Sequence, residues 1–267
     1  MDVNIDLDAV LKRALQNGGE FADVFIEQSA PLSLLCEDSR IEKVMSGVDC
    51  GAGVRLIFGQ RTAYAYTNEL TTGSLLEIAD AVRQAAVGDI HQRVVTLIRA
   101  NPRVDLLVRQ APEGVDTSRK VAMVLQANKV ARSFDPRIRQ AMVSYRENRQ
   151  QVLIANSDGV LAGDERMYLT AVVHVVAADG AIVQTGYEPI GGIAGMELFD
   201  AYPLEKAAET AARRAVMMLS ARKAPAGRMP VVLSAEAGGT MIHEAVGHGL
   251  EADLAQSGLS VFSNRKG

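Results

Sequence analysis

The chain has 267 residues, of which 48% are hydrophobic and 22% charged, and its formal net charge is −4. This balance is typical of a folded globular protein and excludes a disordered or collagen-like chain. Nucleic-acid binders usually carry a basic surface, and those that bind single strands add aromatic stacking platforms. The negative charge and the absence of Trp from the sequence therefore predict no nucleic-acid partner.

The cysteine content and the apolar runs bear on the compartment. Cys36 and Cys50 are the two cysteines of the chain, which is too few for a disulfide scaffold and favours a reducing compartment. The first six residues are acidic, whereas a signal peptide is basic and then apolar. The longest weakly polar run, residues 169–178, is too short to span a bilayer. We expect a cytoplasmic protein without a membrane partner.

The first part of the chain alternates between helical and strand-like periods. Apolar residues recur at helical spacing over 6–16, and Asn17-Gly18-Gly19 ends that helix. Ser74-x-x-Glu77 is a capping box that predicts a second helix up to residue 86. Short turns between the two helices predict antiparallel pairing. The strands predicted there cover 22–28, 32–37, 40–45, 51–58 and 61–67.

The second part follows a connector over 88–114 and repeats the mixture of helices and strands. One helix is predicted over 116–132, and Pro203 begins another that runs to residue 219. The strands predicted between them cover 139–146, 150–156, 167–178 and 181–186. Runs of strands and helices are segregated along the chain, which indicates an α+β fold, with antiparallel strand meanders and helices packed on one face.

The last 45 residues are predicted to start a second domain. The first domain then covers 1–222, with subunits of about 1–110 and 111–222, and Ala224-Pro225-Ala226-Gly227 serves as a linker. A short strand over 229–233 and a helix from Ser234 are predicted in the remaining stretch, 223–267.

The strongest chemical signal is His243-Glu244-Ala245-Val246-Gly247-His248. Neutral imidazoles bind zinc, and a neighbouring carboxylate can take a proton from the attacking water. On an ideal α-helix, however, residues five apart point about 140° away from each other. The motif therefore requires one of two distortions near Gly247: a π-type bulge that brings the rings together, or a helix end from which His248 turns back.

Several segments together closely resemble the signature of the TldD/PmbA family, and specifically its TldD-like, metal-binding branch. The most specific is the block from Pro230 to Asp253, which contains the histidine motif. Weaker matches upstream are Gly51-Ala52-Gly53-Val54-Arg55, Ala63-Tyr64-Ala65-Tyr66-Thr67 and the glycine-rich stretch 191–197.

The resemblance implies a zinc-dependent peptidase of the cytoplasm that hydrolyses unfolded or leader peptides. It implies that His243 and His248 are zinc ligands and that Glu244 is the general base. It also implies a dimer, formed with a PmbA/TldE-like subunit or with a second copy of the chain. Members of the family have also been described as modulators of DNA gyrase.

The third zinc ligand of the family is a cysteine in a large C-terminal domain, and no residue of this chain matches it. We therefore expect 223–267 to be the truncated beginning of the metallopeptidase domain, with the third ligand supplied from the missing region. Glu251 and Asp253 could each lend a carboxylate, although solvation on a helix surface is the simpler role. The alternative hypothesis is a non-catalytic interaction subunit or truncated product, such as a gyrase-modulator-like regulator that acts by protein binding.

Overall fold

The computed structural model describes residues 4–86, 96–100 and 108–265. The chain divides into two compact units, Met1–Ala221 and Arg222–Gly267, called unit 1 and unit 2 below. Most of the connector predicted over 88–114 lies outside the described residues. Its described part contains a short strand and a 3-10 turn, Pro112–Gly114. Among the described helices, none is both long enough and apolar enough to cross a bilayer.

Unit 1 combines an eight-stranded sheet with helices, which confirms the α+β class. The strands run in the order β4-β3-β1-β6-β7-β5, with β2 paired to β1 and β8 paired to β7. All of these pairs are antiparallel except the one between β5 and β7. The elements of unit 1 are α1 (Leu7–Ala14), β1 (Phe21–Glu37), β2 (Arg40–Ser46), β3 (Asp49–Phe58), β4 (Arg61–Thr67), α2 (Thr72–Ala85), β5 (Ile98–Ala100), α3 (Thr117–Ser133), β6 (Ile138–Asn156), β7 (Val160–Asp179), β8 (Ile182–Ile193), α4 (Leu198–Ala201) and α5 (Leu204–Met218).

Strand β1 is continuous where the sequence predicts two strands separated at Ala30-Pro31. Its whole second half pairs with β6, and Pro31 lies opposite Asn148. On the other side, β1 pairs with β3 up to Ser29 and with β2 from Leu32 onward, so residues 30 and 31 have no described partner strand there. The proline nitrogen, which has no hydrogen to donate, therefore faces the gap between two partner strands, and the strand continues at no cost in hydrogen bonds.

The helices of unit 1 cover one face of the sheet, as predicted. Alternate residues of β1, β3, β6 and β7 are buried on this face, which is the period of a sheet with one face packed against a core. Helices α1 and α2 cover its first half, and α3 and α5 cover its second half. The opposite face, called the open face below, carries exposed side chains such as Phe25, Ile154 and Tyr187.

Helix α5 lies unusually close to the sheet because small residues meet on both sides of the contact. Gly186 of β8 faces the helix, and a Cβ atom built there would lie 1.9 Å from the carbonyl oxygen of Ala211. Gly191 and Gly192 also belong to β8, which ends at Ile193, so only the beginning of the glycine-rich stretch 191–197 lies in a paired strand. The buried helix residues on this side are Leu204, Ala207, Ala208, Ala211, Ala212 and Ala215.

Unit 2 consists of short helical segments. Ser234 caps α6 (Ala235–Ile242) by accepting a hydrogen bond from the backbone N–H of Ala237, which confirms the predicted helix start. A π turn, His243–Gly247, and a 3-10 turn, His248–Leu250, follow before α7 (Ala252–Gln256). The strand predicted over 229–233 is wrong, because these residues adopt no regular structure; strand-like sequence forms a strand only where a partner strand pairs with it.

Candidate metal centre

The π turn brings the two motif histidines together. The backbone N–H of His248 donates a hydrogen bond to the carbonyl oxygen of His243, five residues earlier. Such bonds place residues five apart above one another on the helix surface. The two imidazole rings accordingly lie edge to face, with their centroids 4.4 Å apart. Of the two distortions that the spacing allows, the structure shows the π turn.

Gly247 serves the site through its size. Its φ is −55° and its ψ −56°, ordinary helical values that any residue adopts. A Cβ atom at this position would lie 3.1 Å from Nδ1 of His243. The lack of a side chain therefore leaves room for the imidazole ring of His243. The sequence points to this glycine as a place where the backbone distorts cheaply, whereas in the structure a side chain there would press on the ring of His243.

Three potential ligands converge at the turn. His243, Glu244 and His248 each offer one ligand atom, and these atoms lie within 4.8 Å of one another. Two nitrogen ligands of one zinc ion can be at most about 4 Å apart, because each Zn–N bond is about 2.0–2.1 Å long. All three side chains are exposed, so small rotations can bring the nitrogens to that separation. The donor set, two imidazoles beside a carboxylate, suits zinc.

Glu251 is the partner of His248, and the sequence alone did not assign it that role. Its Oε1 lies 2.6 Å from Nδ1 of His248. This hydrogen bond, together with the negative charge of Glu251, raises the pKa of His248 above its usual range. We place the imidazole proton on Nδ1, where Glu251 can accept it, which leaves the Nε2 lone pair free for a metal. The spacing of three residues across a helical turn was the available signal.

The group of potential ligands formed by His243, Glu244 and His248 includes neither Asp253 nor the two cysteines. Asp253 accepts a hydrogen bond from the backbone N–H of Leu254, at the start of α7. Cys36 is buried in β1 and Cys50 is half-buried in β3, both within unit 1. The carboxylate nearest to the free nitrogen of His248 is that of Glu244, whose Oε2 lies 3.6 Å from Nε2.

Three domain profiles of one family match the chain in sequence order. The PmbA/TldA metallopeptidase domain 1 matches residues 22–86, the central domain matches 110–219, and the C-terminal domain matches 226–267. The candidate metal centre lies within the segment matched by the third profile.

Curated relatives carry metalloprotease names. The chain is 31% identical over 258 residues to the Metalloprotease TldD homolog of Haemophilus influenzae, covering 93% of this chain and 53% of the relative. It is 24% identical over 253 residues to the Zinc metalloprotease TldD homolog of Saccharolobus solfataricus, covering 93% and 54%. The chain thus spans about half the length of the curated relatives it matches.

Solved structures share the fold at low sequence identity. A protein of Bacteroides thetaiotaomicron described as a candidate modulator of DNA gyrase superposes with a TM-score of 0.78 at 16% identity, over 97% of this chain and 59% of that one. TldE of Thermococcus kodakarensis superposes with a TM-score of 0.57 at 14% identity, over 79% and 46%. At these identities the likeness shows the fold alone.

Proposed function

We propose that this chain, which belongs to the PmbA/TldD metallopeptidase family, contributes the histidine half of a zinc-dependent peptidase site. The observation that carries the proposal is the π turn, which brings two imidazoles and a carboxylate within 4.8 Å of one another. In an α-helix the same six residues would point the histidines apart. The distorted turn therefore has a chemical explanation in joint binding of one ion.

In this proposal each side chain of the turn has its own task. His243 and His248 hold the zinc ion, and Glu251 keeps the proton of His248 on Nδ1. When bound, zinc acts as a Lewis acid that polarises a peptide carbonyl and makes water more acidic. Glu244 is the general base, because its carboxylate lies beside Nε2 of His248 and can accept a proton there. A third protein ligand would come from outside the described residues.

The substrate and the partner follow from the family and belong to the proposal. We assign unfolded or leader peptides as substrates, bound in extended form, and the cytoplasm as the compartment. The names of the curated relatives support a peptidase, and one of them supports zinc. The fold shared with a TldE chain supports pairing with a TldE-like subunit or with a second copy.

The test measures zinc and cleavage separately in the longest form of the protein that carries this chain. We expect His243→Asn to lose both bound zinc and cleavage of an unfolded peptide. Glu244→Gln should keep the zinc, because the amide replaces the carboxylate at equal size, and should lose cleavage by a factor of about 100 or more. If Glu244→Gln still cleaves the peptide, Glu244 is not the general base. If His243→Asn still binds zinc, the proposed metal site is wrong.

The alternative, an interaction subunit without catalysis, predicts a different result for the same proteins. Zinc would then be absent at stoichiometric levels from the unaltered protein, and no peptide would be cut. Two histidines are fewer than the three protein ligands usual for catalytic zinc. Among the described residues, the incomplete ligand set is the one observation that supports this alternative.

A further inference from the structure

A trough crosses the open face of unit 1 where two glycines lie side by side on β3. Gly51 and Gly53 both face this side, and they lie opposite Glu27 and Phe25 of β1. On the other side of β3, Tyr66 lies opposite Gly53. Because glycine has no side chain, the side chains of β1 and β4 form two walls above a backbone floor. The glycine trough, as we call it, has a volume of about 320 Å³, within the range of ligand sites.

Aromatic rings form one wall of the trough. Tyr64 and Tyr66 stack with their ring centroids 6.3 Å apart, and 63% and 77% of their areas are exposed. Tyr64 leans over the floor, since a Cβ atom at Gly53 would lie 2.4 Å from its hydroxyl oxygen. Phe25 is also partly exposed in the facing wall. Exposed tyrosine faces attract cations, arginine most often.

Two carboxylates complete the lining. Glu27 is half-buried and accepts a hydrogen bond from Nε2 of Gln150 at 2.8 Å. Asp49 is exposed and lies two residues before Gly51 on β3. Because Gly51 is directly opposite Glu27, Asp49 is diagonal to Glu27. Diagonal pairs on one sheet face are about 7–8 Å apart. Within the described ranges, no Lys or Arg lies within ion-pair distance of either carboxylate, whereas Asp23 beside them is paired with Arg55.

From this lining we propose that the glycine trough binds an arginine side chain of an extended polypeptide. A guanidinium can stack on a tyrosine face and donate to carboxylates on two sides at once. The alkyl stem would lie along Gly51, because the ring of Tyr64 already covers Gly53. Strand β4 ends the described sheet on this side, so an extended peptide also finds an unpaired strand edge beside the trough. The proposal concerns unit 1 and does not depend on zinc or on cleavage.

The experiment measures binding of two fluorescein-labelled peptides to the 267-residue chain. One is nine residues of repeating Gly-Ser-Arg, and the other carries Gln in place of Arg. We expect the arginine peptide to bind at least about tenfold more tightly at low salt. Occupancy is located through Tyr64 and Tyr66, which line the trough: bound arginine peptide should slow their nitration by tetranitromethane, measured residue by residue with mass spectrometry, more than that of Tyr202, which is exposed outside the trough.

Charge-removing variants separate this site from general attraction to an acidic protein. Glu27→Gln with Asp49→Asn should weaken arginine-peptide binding about tenfold, and the glutamine at 27 can still accept the bond from Gln150. The control, Glu77→Gln with Asp200→Asn, removes two exposed charges from helices α2 and α4 and should change affinity less than twofold. Equal binding of both peptides, equal effects of the trough and control variants, or unchanged nitration of Tyr64 and Tyr66 would each overturn the proposal. So would a dimer of the chain, seen by sedimentation, that protects Tyr64 and Tyr66 from nitration and excludes the peptide.

Discussion

The two units of this chain differ in how their residues meet water. Unit 1 buries two apolar clusters beneath four of its helices, and side chains such as Val54 and Leu169 are fully enclosed. In unit 2 no described side chain is buried, and Val232 is 98% exposed. Unit 1 therefore draws its stability from the hydrophobic effect, whereas the described side chains of unit 2 form no buried core.

The buried core lies in unit 1, whereas the residues of the candidate metal centre lie in unit 2. The candidate metal centre is formed by nine consecutive residues, His243 to Glu251, whose geometry follows from local turns. The metal affinity that we propose would depend on ligand orientation, and the bond from Glu251 is a contact that orients His248.

The largest expected effect is on the contact between α5 and the sheet. We predict that Gly186→Ala destabilises unit 1 by about 3 kcal/mol or more, because the new methyl group would meet the backbone at Ala211. Denaturant unfolding measures the loss. Gly47→Ala is the matched control, since nothing lies within 4 Å of a Cβ there, and it should change stability by less than about 0.5 kcal/mol. Equal effects would mean that the helix does not approach the sheet so closely.

A pair of valines tests the contrast in burial directly. Val54→Ala should cost about 2 kcal/mol of unfolding free energy, because it leaves a cavity in a core position with no exposed area. Val232→Ala, in unit 2, should cost less than about 0.5 kcal/mol. A comparable loss at Val232 would show that this residue is covered in solution, and the contrast between the units would fail.

The hydrogen bond between Glu251 and His248 can be tested within unit 2. Glu251→Gln removes the negative partner of His248 and should weaken zinc binding about 10–100-fold, with little change in the stability of unit 1. Competition with a zinc-sensitive dye measures the affinity. Asp253→Asn removes a nearby charge that makes no contact with either histidine and should leave the affinity unchanged. Equal losses in the two variants would point to charge alone and not to orientation.

The smallest expected effect is a pH dependence within unit 1. Burial raises the pKa of Glu197, but backbone N–H groups, including those of Arg109, Gln110 and Gly195, outweigh it and lower the pKa to about 2. A carboxylate with a lowered pKa stabilises the fold above its ordinary value, near 4.5, and this contribution is lost as the pH falls toward 2. Glu197→Gln should therefore be less stable than the parent at pH 7, with the gap narrowing toward pH 3 in urea unfolding. A constant gap would contradict this.

Much of the site could be predicted because its geometry is local. If His243 and His248 bind one ion, their spacing requires a distorted helix, and Gly247 indicates where the distortion lies, although Gly247 itself has ordinary helical dihedral angles. The role of Glu251 was not predicted, because a carboxylate three residues from a histidine is common on helix surfaces. Only the 3-10 turn His248–Leu250 decides that this one reaches Nδ1.

In the fold, too, some features follow from the sequence alone and others depend on tertiary structure. Period-two alternation determines which residues of each strand face the core, so the sequence by itself predicts the α+β class and the helix-covered face. Tertiary structure decides that β1 continues through Pro31, because only the gap between β2 and β3 makes the missing N–H harmless. It also decides that Gly51 and Gly53 lie between Glu27 and Tyr66, because strand register is set by pairing across the sheet. Local hydrogen bonds form the π turn of the candidate metal centre, which is one of the two distortions that the sequence left open, and long-range pairing forms the trough.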